Sequence, residues 1–196
     1  MPPDLGQKLE LPPEDRERLA QSGIELGMAN RCGSYLQMNQ DVMHATCSEE
    51  GIDVLPYGLA MEKYPWLSEY AWKLVDRDKD EYTRYVASQK RPVGYVIIAR
   101  KGSNNILPIQ ACLFLGREQI QHVHNILIAE EGAELHVISG CASASHVGKG
   151  GAHYGISEFY VGRNAKISFT MIHTWGEEIE VYPRSASRVE ENGVFL

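Results

Sequence analysis

The sequence predicts a mainly β chain with N-terminal helices. Residues 93–196 read as a solenoid of stacked strands, and residues 1–92 as an arm followed by a small helical region. Three observations carry this reading. After Pro92 the chain becomes a succession of short β-rich runs separated by Gly, Asn and small polar residues. Within that region turn-like tips recur at nearly constant spacing. Before it, apolar residues recur at steps of three and four, the period of a helix.

Taken in order, the first twenty or so residues are polar and hold two Pro-Pro pairs, as expected of a tethered arm. Pro13 to Ala20 (PEDRERLA) predicts a short helix with acidic residues in its first turn. Gly33 to Thr46 shows no clean period. From Met61 to Gln89 the pattern is helical through Tyr64, Leu67, Ala71, Leu74 and Val75. Pro65, tolerated only in a first turn, places the start of that helix. The run Val75 to Asp80 breaks it, and a second helix is expected from Asp80, as cap, to Ser88. Trp66 and Trp72 read as packing residues. Strands are expected at 95–99, 109–115, 123–129, 134–139, 157–161, 166–173 and 179–182.

The tips IIARKG, LIAEEG, FYVGRN and SRVEEN end at Gly102, Gly132, Asn164 and Asn192, separated by 30, 32 and 28 residues. Gly and Asn both tolerate a left-handed backbone in a tight turn. Each coil of such an array buries its inner face only by stacking on its neighbours. Strand alternation then defines that face. His173 continues the face of Ile167, Phe169 and Met171, and Cys141 that of Leu135, Val137 and Ser139 if Gly140 keeps the register.

Composition excludes several function classes. Hydrophobic residues make up 43% and charged residues 23%, as in a folded globular chain. A net charge of −7 argues against a nucleic-acid partner, which needs a basic footprint. No apolar run approaches the ~20 residues of a membrane span, and the polar start does not read as a secretory signal. Four cysteines are too sparse for a disulfide scaffold, so a reduced, cytoplasmic location is expected.

Few residues carry candidate chemistry. Cys141, among small residues in SGCASASH, is a sterically accessible thiol that His146 or His153 could help ionise; the alternative is a small core residue. His173, with Trp175 close by, offers an inward imidazole. His122 and His124 share one strand face and suggest a metal pair of cupin type, with Gly116 six positions before His122 and Glu130 downstream. The gap to Glu130 is one residue too long for that pattern, and no second motif follows. Cys32 and Cys47, with fourteen residues between them and no CxxC, do not suggest zinc. A carbohydrate-active β-helix fares poorly for want of a cluster of Asp residues. ATPase, zinc-protease and serine-hydrolase motifs are lacking.

The segment HNILIAEEGAELHVISGCASASHV, followed by HYGISEFYVGRNAKISFTMIHTWGEEIEVYPRSASRVEENG, closely resembles the SufB/SufD family of iron–sulfur cluster assembly proteins. The likeness is strong over residues 90–196. It is looser over 25–90, through YPWLSEYAWKLVDRDKDEYTRYV. The resemblance implies a right-handed parallel β-helix that acts as a non-catalytic scaffold. It implies pairing with a SufB/SufD paralogue or with itself, a SufC-type ABC ATPase as partner, and a cysteine desulfurase as sulfur donor. Iron and sulfide would be held as a transient cluster. By the same resemblance, Cys141, in the Gly-Cys step after the EEGA strand, is the candidate sulfur acceptor. His153 and His173 are candidate metal ligands. Family members run on past the point matching Leu196, so the sequence reads as truncated at its C-terminus, short of the ATPase-binding helices and further ligands.

Overall fold

The computed structural model describes residues 11–116, 120–145 and 150–196. Eleven strands among them build two sheets. They are β1 (Gly33–Met38), β2 (Asp41–Cys47), β3 (Ile52–Pro56), β4 (Tyr95–Ala99), β5 (Ile109–Leu115) and β6 (Ile120–Ala129). The remainder are β7 (Glu134–Ser143), β8 (Gly151–Val161), β9 (Lys166–Thr174), β10 (Ile179–Val189) and β11 (Val194–Phe195). One sheet runs β11-β9-β7-β5-β1-β2 and the other β10-β8-β6-β4-β3. From β4 onward, successive strands alternate between the sheets and neighbours within each sheet are parallel. Two parallel-rich sheets stacked in register in this way are consistent with a β-helix.

The repeat in the sequence is the repeat of the coil. Val96, Ile126, Glu158 and Ala186 form one column of partners, and Leu113, Cys141 and His173 another. The four tip residues have positive φ: Gly102 69°, Gly132 70°, Asn164 56° and Asn192 55°. The first three tips each bond to the next coil, with Gly102 N–H donating to Glu131 O, Gly132 N–H to Arg163 O and Asn164 N–H to Glu191 O. The aperiodic segment 33–46 supplies β1 and β2. β1 pairs parallel to β5 and antiparallel to β2, while β3 pairs antiparallel to β4.

Strands covered on both faces read as continuous apolar runs, such as YVIIA in β4 and ACLFL in β5. Between the sheets lie Tyr35, Ile97, Leu127, Leu135, Val137, Cys141, Phe159 and Ile167. Outside the first sheet, Leu36, Cys112, Phe114 and Ala142 pack against Leu11, Leu19 and Ile24 of the arm, which carries helix α1 (Pro13–Gln21). Asp15, in the first turn of α1, accepts from Ser145 N–H at 2.8 Å and pins the arm down.

Gly140 is where the arm meets this sheet. A Cβ there would lie 2.5 Å from Ser22 O and 2.6 Å from Ile24. Gly140→Ala is therefore expected to cost about 1–3 kcal/mol, the usual cost of overpacking. Chemical denaturation measures that loss, and limited proteolysis should show cleavage of the arm before the sheets. An unchanged midpoint with a protected arm would contradict the close approach.

The outer face of the second sheet is covered by α2 (Tyr57–Lys63), a 3-10 turn (Pro65–Glu69) and α3 (Glu81–Ala87). Asp80 caps α3 as expected, accepting from Tyr82 N–H and Thr83 N–H in a capping box. The helix expected from Pro65 to Val75 ends instead after the 3-10 turn, because the next segment spends its N–H groups elsewhere. Glu158, fully buried in the outer column of β8, accepts from Trp72 N–H at 2.6 Å, Leu74 N–H at 2.6 Å and Val75 N–H at 3.1 Å. An ionised carboxylate outcompetes a neutral carbonyl for those donors. Trp72 takes φ 60° to reach it, and its ring lies 4.4 Å from that of His124.

Candidate functional site

The interior changes character part-way along the coil. Beyond the apolar layer, the inner face of β7 presents Ser139 and Cys141, and the adjoining β9 presents Met171 and His173. Facing them, β6 supplies Asn125, β8 His153, Gly155 and Ser157, and β10 Val181, Pro183 and Ser185. These side chains surround a cavity of about 20 Å³, room for roughly one water. Gly140 does not break the register: Cys141 stays on the face of Leu135 and Val137 and is partnered across the ladder by His173. The structure thus brings Cys141, His153 and His173 to one chamber. His146 lies outside the described residues.

The titratable groups of the chamber are held neutral. Burial pushes the Cys141 thiol up to about 12, so it rests as the thiol, with Ser139 Oγ 4.0 Å from Sγ. Burial and the neighbouring His173 depress His153 to about 3, and burial also lowers His173. The tautomer of His153 is set by a partner the sequence did not reveal. Gln121 donates through Nε2 to the carbonyls of Asn39 and Phe114, both at 3.1 Å, which turns its Oε1 toward His153. His153 Nδ1–H donates to that oxygen at 2.8 Å. The remaining nitrogen, Nε2, keeps its lone pair. It sits 2.9 Å from where a Cβ on Gly155 would stand, so glycine leaves the space the ring occupies. Trp175 closes this side, its ring 5.1 Å from His153 and 5.8 Å from His173.

Chemically, the arrangement offers one protonated thiol beside imidazoles that burial keeps neutral. Among the described residues no three His, Cys, Asp or Glu side chains gather as a metal-holding group. Met171 and His173 are less enclosed than their β7 neighbours because β11 covers only Lys166 and Ile167 of β9.

His122 and His124 do not meet a third metal ligand. Both lie on the outer face of β6, where His124 Nε2–H donates to Glu158 at 2.7 Å and His124 Nδ1 has no partner. The Glu158 oxygens are already taken by three backbone N–H groups. Glu130, the third member suggested by the spacing, instead accepts from Arg100 and from Lys101 N–H. His122 packs edge-on against Tyr85. The cupin-type reading is therefore corrected: these histidines belong to the packing of the helical cover.

Residues 113–195, which contain every chamber residue but none of the helical cover, match the family model described as SUF system FeS cluster assembly, SufBD core domain. The chain belongs to the SufBD family. A protein of Archaeoglobus fulgidus named iron-sulfur cluster assembly SufBD family protein is 50% identical over 182 residues, covering 93% of this chain and 48% of its own length. A protein of the same name from Methanothermobacter thermautotrophicus is 39% identical over 191 residues, 95% of this chain and 46% of its own. A SufBD family protein of Pyrococcus horikoshii is 26% identical over 194 residues, with 95% and 43% covered. The chain spans about half the length of these relatives. Among the described residues, no helix is long and apolar enough to cross a membrane.

Proposed function

We propose that this chain supplies the sulfur-entry part of a SufBD-type scaffold for iron–sulfur cluster assembly, with Cys141 as the acceptor. The observation that carries the reading is the placement of Cys141 inside the coil, beside two neutral imidazoles. In the proposed step the Cys141 sulfur attacks the outer sulfur of a donor persulfide. The donor S–S bond breaks, its thiolate leaves and takes up a proton, and Cys141 becomes the persulfide. Since burial disfavours the thiolate, the Cys141 proton passes to the departing donor thiolate as the S–S bond forms. A coil interior that admits about one water would shield the product from reductant.

In this reading the coil is a right-handed parallel β-helix and the chain itself is non-catalytic. Iron and sulfide are cargo, and His153 and His173 are the imidazole donors available to iron beside the Cys141 sulfur. A SufC-type ATPase, a SufB/SufD-type partner and a cysteine desulfurase complete the system.

The test is co-expression of the chain with those partners, anaerobic reconstitution, and assay of bound iron, sulfide and persulfide, with Cys141→Ser alongside. The expected result is persulfide on the wild type and at least a tenfold loss in the variant, because the thiolate is the nucleophile. Equal sulfur on both proteins would overturn the assignment.

A further inference from the structure

Two of the remaining cysteines also come together, outside the chamber. Cys32 precedes β1 and Cys47 ends β2, so both stand at the open end of the β1–β2 hairpin. Gly33, the residue after Cys32, is the register partner of Cys47, and Ser48 N–H donates to Cys32 O at 2.8 Å. A Cβ on Gly33 would lie 3.2 Å from Cys47 Sγ, so the glycine leaves room for that sulfur. Both side chains join the same core cluster, Cys32 within it and Cys47 packed against it.

We propose that Cys32 and Cys47 form a dithiol site for low-molecular-weight disulfides, closing into an internal disulfide that staples the open end of the β1–β2 hairpin.

The two sulfurs are unequal in a way that orders the steps. Cys47 is half-buried, and the neighbouring Cys32 thiol lowers its pKa. Cys32 is buried, its Sγ 2.8 Å from Leu107 O, and its thiol is held protonated by the Cys47 contact and by burial. Cys47 thiolate attacks one sulfur of the incoming disulfide, whose S–S bond breaks to release one thiolate. Cys32 then attacks Cys47 Sγ, its proton passing to the departing thiolate, and the second small thiol leaves. Two protein thiols are oxidised and one small disulfide is reduced to two thiols. Adjacent positions across an antiparallel pair lie within the Cα separation that a disulfide spans.

Oxidised glutathione, added anaerobically to the full chain, tests this. In the wild type a Cys32–Cys47 linked peptide should form about tenfold faster than any reaction at Cys112 or Cys141, both fully buried with raised pKa values. Cys32→Ser should instead accumulate a mixed disulfide on Cys47, and Cys47→Ser should form neither product. A stable glutathione adduct on wild-type Cys47, or oxidation at Cys141 while Cys32 and Cys47 stay reduced, would overturn the proposal. The linked peptide is read on the wild type alone, so a poorly folding variant does not blunt the test.

Discussion

Glu158→Ala is expected to lower the unfolding free energy by about 3–5 kcal/mol, because a buried ionised acceptor is taken from several donors at once. The carboxylate is fully buried and accepts from three backbone N–H groups and from His124. Truncating it strands four donors in a dry site, each costing roughly 1–3 kcal/mol before relaxation. Those donors hold the segment through Trp72 and Val75 against the second sheet, so the loss should also free the cover formed by α2 and α3. Denaturant titration gives the first number, and hydrogen exchange at Trp72, Leu74 and Val75 gives the second. A change below about 1 kcal/mol with those amides still protected would contradict the anchoring role.

Acid is the second strong lever. His153 is depressed to about 3, and His122, His124 and His173 are also lowered, in each case chiefly by burial. Unfolding exposes these rings and returns them to about 6.5. Between the two values the unfolded chain binds more protons, so stability falls as pH falls. The contribution of His153 is intact above about pH 6.5 and is lost toward pH 3, at up to roughly 1.4 kcal/mol per pH unit. From pH 7.5 to pH 5 the expected loss from His153 alone is about 2 kcal/mol. His153→Leu should flatten that part of the profile. A pH-independent unfolding free energy across this window would contradict a neutral, buried His153. Glu158, held below the ordinary carboxylate range chiefly by the His124 bond working against burial, adds its own loss only at lower pH.

The coil was legible in the sequence because its signals are local. The left-handed tips need Gly or Asn, and strands buried on both faces need unbroken apolar runs, so Tyr95–Ala99 and Ile109–Leu115 were found at their observed bounds. Cys141 and His173 were legible as inward residues by alternation alone. What stayed hidden depends on partners distant in sequence. Helical spacing over 64–75 is genuine, but Glu158, more than eighty residues away, takes the N–H groups a helix would need. β1 lacks a clean period because it is buried on both faces with Ser34 and Gln37 among its buried residues, and β2 because it is an edge strand. Gln121 carries no sequence signal because its value lies in which carbonyls orient its amide, and no spacing rule reports that. The Cys32–Cys47 contact likewise follows from hairpin pairing rather than from any motif.

The most direct measurement is the location of sulfur after a single desulfurase turnover. The chain is incubated anaerobically with a cysteine desulfurase and cysteine, blocked with an alkylating agent and mapped peptide by peptide. The account predicts that the persulfide resides on Cys141 and that its yield rises with pH, because burial holds the resting thiol protonated. Persulfide on Cys47 or Cys32 with Cys141 unmodified would contradict it, and would place sulfur entry at the surface hairpin rather than in the coil interior.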